Sequence, residues 1–153
     1  MNIQAMKAKI LILFVIALIT GSCNKNTYTT SPQLTFKDVN ATTISQDGLV
    51  SFNIEFTDKE GDVQDSIWIQ RVSKICPGSF PAVYKYKMPD FTPTKDLKGI
   101  IEVDLFYGGN NPNYPNISGC GTKNDTSYFK FWLRDKAGNV SDTVRSPDMA
   151  FLK

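Results

Sequence analysis

The sequence predicts an all-β fold, a single antiparallel β-sandwich of about seven strands, and three features of the chain lead to this prediction. Apolar and polar residues alternate along several short segments, which is the period of a half-buried strand. Turn-forming residues separate these segments. One turn sequence occurs twice, as FTDKEGDVQDSI from Phe56 and as LRDKAGNVSDTV from Leu133, so two strand connections use the same turn chemistry.

The first 22 residues have the layout of a secretory signal peptide. Lys7 and Lys9 supply positive charge, and residues 10–19 form an unbroken apolar run. This run is too short to cross a bilayer comfortably. It leads into Gly21-Ser22-Cys23, where small residues precede a cysteine.

This cleavage region resembles the lipobox of bacterial lipoproteins, in which the cysteine is lipidated and becomes the new N-terminus. The resemblance implies cleavage after Ser22, lipidation of Cys23 and a place in the cell envelope, anchored by lipid to a bacterial membrane, with the outer membrane favoured. Thr20 stands where the family prefers Leu or another aliphatic residue. The alternative is an ordinary secretion signal followed by a chance cysteine.

The charge balance argues against nucleic acid as a partner. The chain has 17 Lys and Arg residues and 15 Asp and Glu residues, and loss of residues 1–22 removes two lysines. A neutral mature chain lacks the basic field that binding to nucleic acid by charge requires. Membrane contact is therefore expected through the lipid, in which each buried methylene contributes about 0.8 kcal/mol.

Cys76 and Cys120 remain once Cys23 carries a lipid. An exported protein meets an oxidising compartment, so we expect these two cysteines to form a disulfide, worth roughly 4 kcal/mol on the chain-entropy model. Two unpaired thiols are the alternative. The chain has no histidine and no Cys-x-x-Cys motif, so a zinc site is not expected.

The mature chain divides into a short tether and one domain. Residues 23–32 are predicted to be the lipidated cysteine and a flexible polar tether, and residues 33–153 the sandwich. The predicted strands cover residues 33–39, 49–57, 66–73, 82–88, 99–106, 126–134 and 140–152. The longest loop, residues 107–125, is rich in Gly, Asn and Pro, and loops of this length are usually functional or disordered.

Strand order and turn spacing over residues 33–153 resemble immunoglobulin-like and fibronectin type III-like domains of bacterial surface lipoproteins. The aromatic residue on the third strand of such sandwiches is usually internal, which implies a buried Trp68. The topology also implies that the connections carrying Cys76 and Cys120 lie at one end. Neither cysteine is in the middle of a strand, unlike the disulfide of antibody domains.

The same topology places the two repeated turns together at the other end. Hard cations bind clustered carboxylate and carbonyl oxygens, so a calcium site is the functional interpretation. Its candidate ligands are Asp58, Glu60, Asp62, Asp135 and Asn139. Turn chemistry alone is the alternative, because Asp at the start of a turn bonds nearby backbone and glycine supplies positive φ. The glycine at the fourth position of each turn also departs from the EF-hand pattern.

Aromatic residues are the other candidates for binding. Tyr128 and Trp132 are predicted on the face opposite Phe129 and Phe131, where they could join Tyr84 or Tyr86 as a platform for a sugar or a protein. Further candidates for ligand binding are Tyr107 and Tyr114 in the long loop. Burial of the platform as a second core layer is the alternative.

Three functions are compatible with these features. The first is a non-catalytic, lipid-anchored envelope module for adhesion, scaffolding or ligand binding, with a glycan or an envelope protein as partner. The second is a carbohydrate-binding accessory lipoprotein of a glycan-uptake system. The third is a small hydrolase using Asp58, Asp62 or Asp135. No triad histidine and no nucleophile motif is present, so we expect no enzyme activity and no cofactor beyond calcium.

Overall fold

The computed structural model describes residues 27–80 and 82–153, which fold into ten β-strands. The strands are β1 (Gln33–Val39), β2 (Thr43–Ile44), β3 (Gly48–Asp58), β4 (Ser66–Ser73), β5 (Val83–Lys87), β6 (Leu97–Tyr107), β7 (Asn116–Ile117), β8 (Asp125–Arg134), β9 (Val144–Arg145) and β10 (Met149–Phe151). Over these ranges no helix is long and apolar enough to cross a membrane. The predicted signal peptide and Cys23 lie outside the described residues.

The strands form two sheets, which confirms the all-β prediction and gives a sandwich-like architecture. The first sheet has the order β1-β3-β6-β7, and the second has the order β2-β10-β8-β4-β5, with β9 also pairing with β8. The sheets are mixed, whereas the sequence predicted antiparallel pairing throughout. Two pairs, β2 with β10 and β6 with β7, are parallel. Both involve two-residue strands within predicted loops, too short to show any alternation.

Six predicted strands agree with the structure to within two residues at each end. The seventh, residues 140–152, is wrong as a single element, because it divides into β9 and β10. Pro147 lies between them and has no N–H to donate to a neighbouring strand. The hydroxyl of Ser146 instead accepts a hydrogen bond from the Phe129 N–H at 3.0 Å.

The core lies between the two sheets and is centred on Phe52. This ring comes from β3 of the first sheet and is fully buried. Its centroid lies 4.9 Å from that of Phe129 and 5.2 Å from that of Phe131, both on β8 of the second sheet. Because side chains alternate along β3 and β8, the apolar side chains of the two strands face one another across the gap between the sheets.

Trp68 is not a core residue, contrary to the expectation from immunoglobulin-like domains. Ile67 and Ile69 are buried on β4, whereas Trp68 between them is half-buried on the outer face. The register explains the difference, because β4 pairs with β8 so that Ile69 is opposite the inward-facing Phe131 and Trp68 is opposite Trp132.

A buried ion pair lies at the end of the sandwich where β4 finishes. The Arg71 guanidinium is 2.8 Å from the Asp125 carboxylate, and both side chains are almost fully buried. Ser73 and Ser127 each donate a hydroxyl hydrogen bond of 2.6 Å to that carboxylate. Because both carboxylate oxygens have partners, the charge of Asp125 is well compensated.

The predicted disulfide joins Cys76 and Cys120, with Cα atoms 6.2 Å apart. The backbone N–H of Cys76 donates to the Ser73 hydroxyl at 2.8 Å, which connects the disulfide to the ion-pair network. Arg71 also donates to the carbonyl of Ser118 in the long loop. Ile117 of the same loop is buried in the core as part of β7. The long loop is therefore packed on the sandwich at several points.

Substitution of Asp125 by Asn should destabilise the fold by about 3–5 kcal/mol, because it leaves the buried Arg71 charge without its counter-charge. Urea unfolding measured at neutral pH checks this. The matched control is Asp148→Asn, which removes a carboxylate from exposed ion pairs with Lys74 and Arg145. The control should change the midpoint little. Similar losses of unfolding free energy in both variants would contradict the claim that burial makes the Asp125 ion pair important for stability.

Acid should remove part of the stability that Asp125 provides. Burial acts to raise the pKa of this carboxyl, but hydrogen bonds from Ser127 and Ser73 and the charge of Arg71 outweigh burial and lower the pKa below its ordinary 3.8. The contribution is therefore complete above pH 3.8 and is lost as the pH falls through the lowered pKa. Unfolding free energies measured between pH 5 and pH 2 should fall less steeply for Asp125→Asn than for the wild type.

Candidate functional site

The two copies of the repeated turn meet at one end of the sandwich, here called the acidic tip and formed by residues 58–62 and 135–139. The backbone N–H of Lys136 donates to the carbonyl of Asp62 at 2.9 Å and joins the two turns directly. The predicted meeting of the turns is confirmed. β4 runs from this end to the disulfide end, so the acidic tip and the disulfide lie at opposite ends of the strand.

Each turn is capped by its first aspartate. Asp58 Oδ2 accepts hydrogen bonds from the N–H groups of Gly61 at 2.6 Å and Asp62 at 3.3 Å. In the second turn, Asp135 Oδ1 accepts from the Asn139 N–H at 2.7 Å, and its Oδ2 accepts from the Asn139 side-chain amide at 2.8 Å. The turn chemistry predicted from the repeat is thus present in both copies.

Gly61 explains why Asp58 is buried. Its φ is 72°, and a Cβ on this residue would lie 2.1 Å from the carbonyl oxygen of Thr94. The segment before β6 therefore packs directly on the turn, where the Asp96 N–H also donates to the Lys59 carbonyl at 2.8 Å. Under this cover Asp58 has no exposed surface.

Three carboxylates converge at the acidic tip. Asp58, Asp62 and Asp135 each offer one oxygen, and these oxygens lie within 4.8 Å of one another. Asp58 and Asp135 are buried, and Asp62 is half-buried. In the part of the chain that the structure describes, none of the three takes part in an ion pair.

The hydrogen bonding of the cluster is incomplete. Asp58 Oδ1 and Asp62 Oδ1 are buried, and neither accepts a hydrogen bond from any residue within 27–80 or 82–153. Burial raises the pKa of Asp58, the N–H groups of Gly61 and Asp62 oppose this effect, and the charges of Asp62 and Asp135 add to it. Neutralisation of the negative charge of the cluster is therefore favourable.

Glu60, the fourth predicted carboxylate ligand, is not part of this cluster. The Glu60 side chain is exposed and accepts only a long, 3.4 Å hydrogen bond from the Thr30 hydroxyl among the described residues. Asn139, the remaining predicted ligand, lies beside the cluster, where its side-chain amide donates to Asp135. The structure thus brings together three of the four predicted carboxylate ligands.

The N-terminal segment of the described chain also lies on the acidic tip. The carbonyl of Thr27 accepts a hydrogen bond from the Thr57 hydroxyl at 2.8 Å, and the carbonyl of Thr29 accepts one from the Lys59 N–H at 3.1 Å. Residues 27–30 of the predicted tether thus lie against the end of β3 and the first turn. One donor is the Thr57 side chain, and the other is the Lys59 backbone N–H.

A second candidate region is the outer face of the second sheet. Trp68 on β4 and Trp132 on β8 form a cross-strand pair with ring centroids 6.2 Å apart and ring planes 8° apart. Both indoles are half-buried. The Lys85 ammonium on β5 lies 5.2 Å from the Trp68 ring. We call this surface the tryptophan face, defined by Trp68, Trp132, Lys85 and the neighbouring Gln70 and Lys130.

The tryptophan face continues into an open groove of about 560 Å³. Gln70, Lys130 and Trp132 line the groove from the sheet, and its other lining residues follow the second turn: Val140, Ser141 and Thr143. Lys85 and Lys130 take part in no ion pair with other described residues. The groove thus offers one aromatic surface, one amide and uncompensated positive charge.

The other aromatic candidates have different positions. Tyr107 is 1% exposed and packs edge-on against Phe151 in the core, and it does not contribute to the surface. The Tyr128 ring is covered by the Arg145 guanidinium at 4.0 Å. Tyr114 is exposed on the long loop.

Tyr84 and Tyr86 do not join Trp132, because the register places them opposite Ile69 and Ile67, on the inner side of the sheet. Trp68 takes their place. Sequence analysis missed Trp68 as a surface residue, and the missing information was the register between β4 and β8, which sets which side of β4 faces the core.

Comparison of the chain with protein-family models and with curated proteins found no match to either.

Proposed function

We propose that this chain is a non-catalytic, lipid-anchored module of the bacterial cell envelope, with an immunoglobulin-like sandwich that binds a ligand on its tryptophan face. The observation that carries the proposal is the half-buried, stacked pair of Trp68 and Trp132. Two nearly parallel indoles, held by the register of two paired strands, form an ordered and partly exposed apolar surface. Large aromatic residues at such positions are typical anchors of binding surfaces.

A glycan is the ligand that this surface fits best. The apolar face of a sugar ring matches an indole in size and flatness, while its hydroxyls need polar partners beside the ring. Gln70 supplies an amide in the lining of the groove, and Lys130 supplies a cation. Since Lys85 and Lys130 have no ion-pair partner among the described residues, glycans with carboxylate or sulfate groups are favoured.

Hydrolysis at the acidic tip receives less support. A glycosidase needs two carboxyl groups about 5 to 10 Å apart on either side of a cleft that a substrate can enter. Asp58 and Asp135 are both buried, and the oxygens of the cluster lie within 4.8 Å of one another. This arrangement resembles a site for a small ion more than a cleft for a substrate.

Lipidation of Cys23 would place the acidic tip next to the membrane. Cys23 precedes Thr27 by four residues, which can span about 14 Å at most. The described chain begins at the acidic tip, where Thr27 is bound to Thr57. The strands would then stand away from the membrane, and the tryptophan face would be open to ligands from the side.

Binding should depend on Trp132. We expect Trp132→Ala to weaken binding to a glycan selected on an array by about 30-fold, the effect of losing a hot-spot contact of about 2 kcal/mol. Isothermal titration calorimetry with that glycan measures the change. The matched control is Tyr114→Ala, which removes an exposed aromatic ring outside the tryptophan face. Equal affinity of Trp132→Ala and the wild type would contradict the proposed site.

Membrane attachment should depend on Cys23. When the chain is expressed in a Gram-negative bacterium, the wild type should sediment with membranes, and mass spectrometry should find an acylated N-terminal cysteine that follows loss of residues 1–22. Cys23→Ser should remove the acyl chains and release the protein from the membrane fraction. An unmodified Cys23 in the mature wild type would contradict lipidation and leave the tryptophan face to be judged by its own experiment.

A further inference from the structure

We propose that the acidic tip binds one calcium ion through the carboxylates of Asp58, Asp62 and Asp135. The inference is independent of the tryptophan face, which lies on the outer side of the second sheet. Of the many oxygen-bearing residues in the two repeated turns, the fold brings the carboxylates of these three together.

The negative charge of the cluster has no counter-charge from the described protein. Two carboxylates that are fully buried and one that is half-buried lie together without an ion-pair partner in the described ranges. Burying charge without compensation is costly, and carboxylates this close repel one another. At the opposite end of the sandwich the same chain compensates Asp125 with Arg71. A bound cation would supply the positive charge at the acidic tip that Arg71 supplies at the opposite end.

Two carboxylate oxygens of the cluster residues are buried without a hydrogen-bond donor from the described residues. Asp58 has no exposed surface, and while its Oδ2 caps the turn, its Oδ1 accepts no hydrogen bond from a described residue. Asp62 Oδ1 is buried and likewise lacks a donor. Buried polar atoms without partners are uncommon in folded proteins, and a missing ion or water is one explanation for them. Asp58 and Asp62 belong to a cluster of three carboxylates, so a cation would satisfy these two oxygens and offset the charge of the cluster together.

The spacing of the carboxylate oxygens also suits a calcium ion. Calcium binds oxygen at about 2.4 Å, so two oxygens on the same ion can be up to about 4.8 Å apart. One oxygen from each of the three residues meets this limit. Asp62 is half-buried, which leaves room for the water ligands that complete a calcium shell of six to eight oxygens.

Calcium fits the acidic tip better than magnesium. Magnesium requires near-octahedral geometry at about 2.0–2.1 Å and retains most of its water, whereas calcium accepts irregular shells supplied by loops. The ligands here come from two different turns, and two of the three carboxylates also cap those turns. A bound calcium ion would link the first turn to the second and stabilise the surface on which residues 27–30 lie.

The test compares the purified full-length protein with Asp62→Asn in calcium and in EDTA, using differential scanning fluorimetry. Calcium at about 100 times the dissociation constant should raise the Tm of the wild type by roughly 10 °C. Asp62→Asn should bind calcium at least about tenfold more weakly by calorimetry. In EDTA the order of the two Tm values should reverse. Asp62→Asn should then be at least as stable as the wild type, because one of three mutually repelling charges is gone.

The matched control is Glu60→Gln, which removes one negative charge from the same turn at an exposed residue outside the cluster. This variant should retain calcium binding within about twofold, because screening weakens the effect of an exposed charge. No rise in Tm with calcium, equal loss of affinity in Glu60→Gln and Asp62→Asn, or equally tight binding of magnesium would each overturn the proposal. None of these outcomes affects glycan binding at Trp132, so the two proposals can fail separately.

Discussion

The packing of Phe52 against Phe129 and Phe131 is the contact on which the rest of the structure depends. The Phe52 centroid lies 4.9 Å from that of Phe129 and 5.2 Å from that of Phe131, across the gap between the sheets. Because side chains alternate along a strand, placing Phe129 and Phe131 inward sends Trp132 outward. The pairing of β4 with β8 then places Trp68 beside Trp132. The core therefore determines the composition of the candidate binding surface.

The two ends of the sandwich handle buried carboxylates in different ways. At one end, Asp125 has a complete set of partners, with Arg71 as its counter-charge and two hydroxyls as donors. At the other end, Asp58 has N–H donors for one oxygen and no described partner for the other. The first arrangement is typical of a structural network that is complete in itself. The second is typical of a site that is completed by an ion from solution.

The positions of the two candidate sites suit an anchored module. The described N-terminal residues lie on the acidic tip, so an anchor at Cys23 and the calcium site would share one end of the domain. The tryptophan face runs along the strands and is separate from that end. Calcium at the tip would then stabilise the junction between anchor and domain, while the tryptophan face remains available to a ligand.

Alternation along β3, β6 and β8 determined the all-β class and most strand positions from the sequence alone, because the period of two is a local property of the chain. The repeated turns and the cysteines were visible in the sequence, and the topology expected from the strand order predicted the correct neighbours for both. The inward side of β4, the burial of Tyr107, and the choice of three carboxylates from the four among the candidate ligands were decided only by tertiary structure. Register between distant strands and the close approach of Thr94 to Gly61 set these features, and neither depends on local sequence.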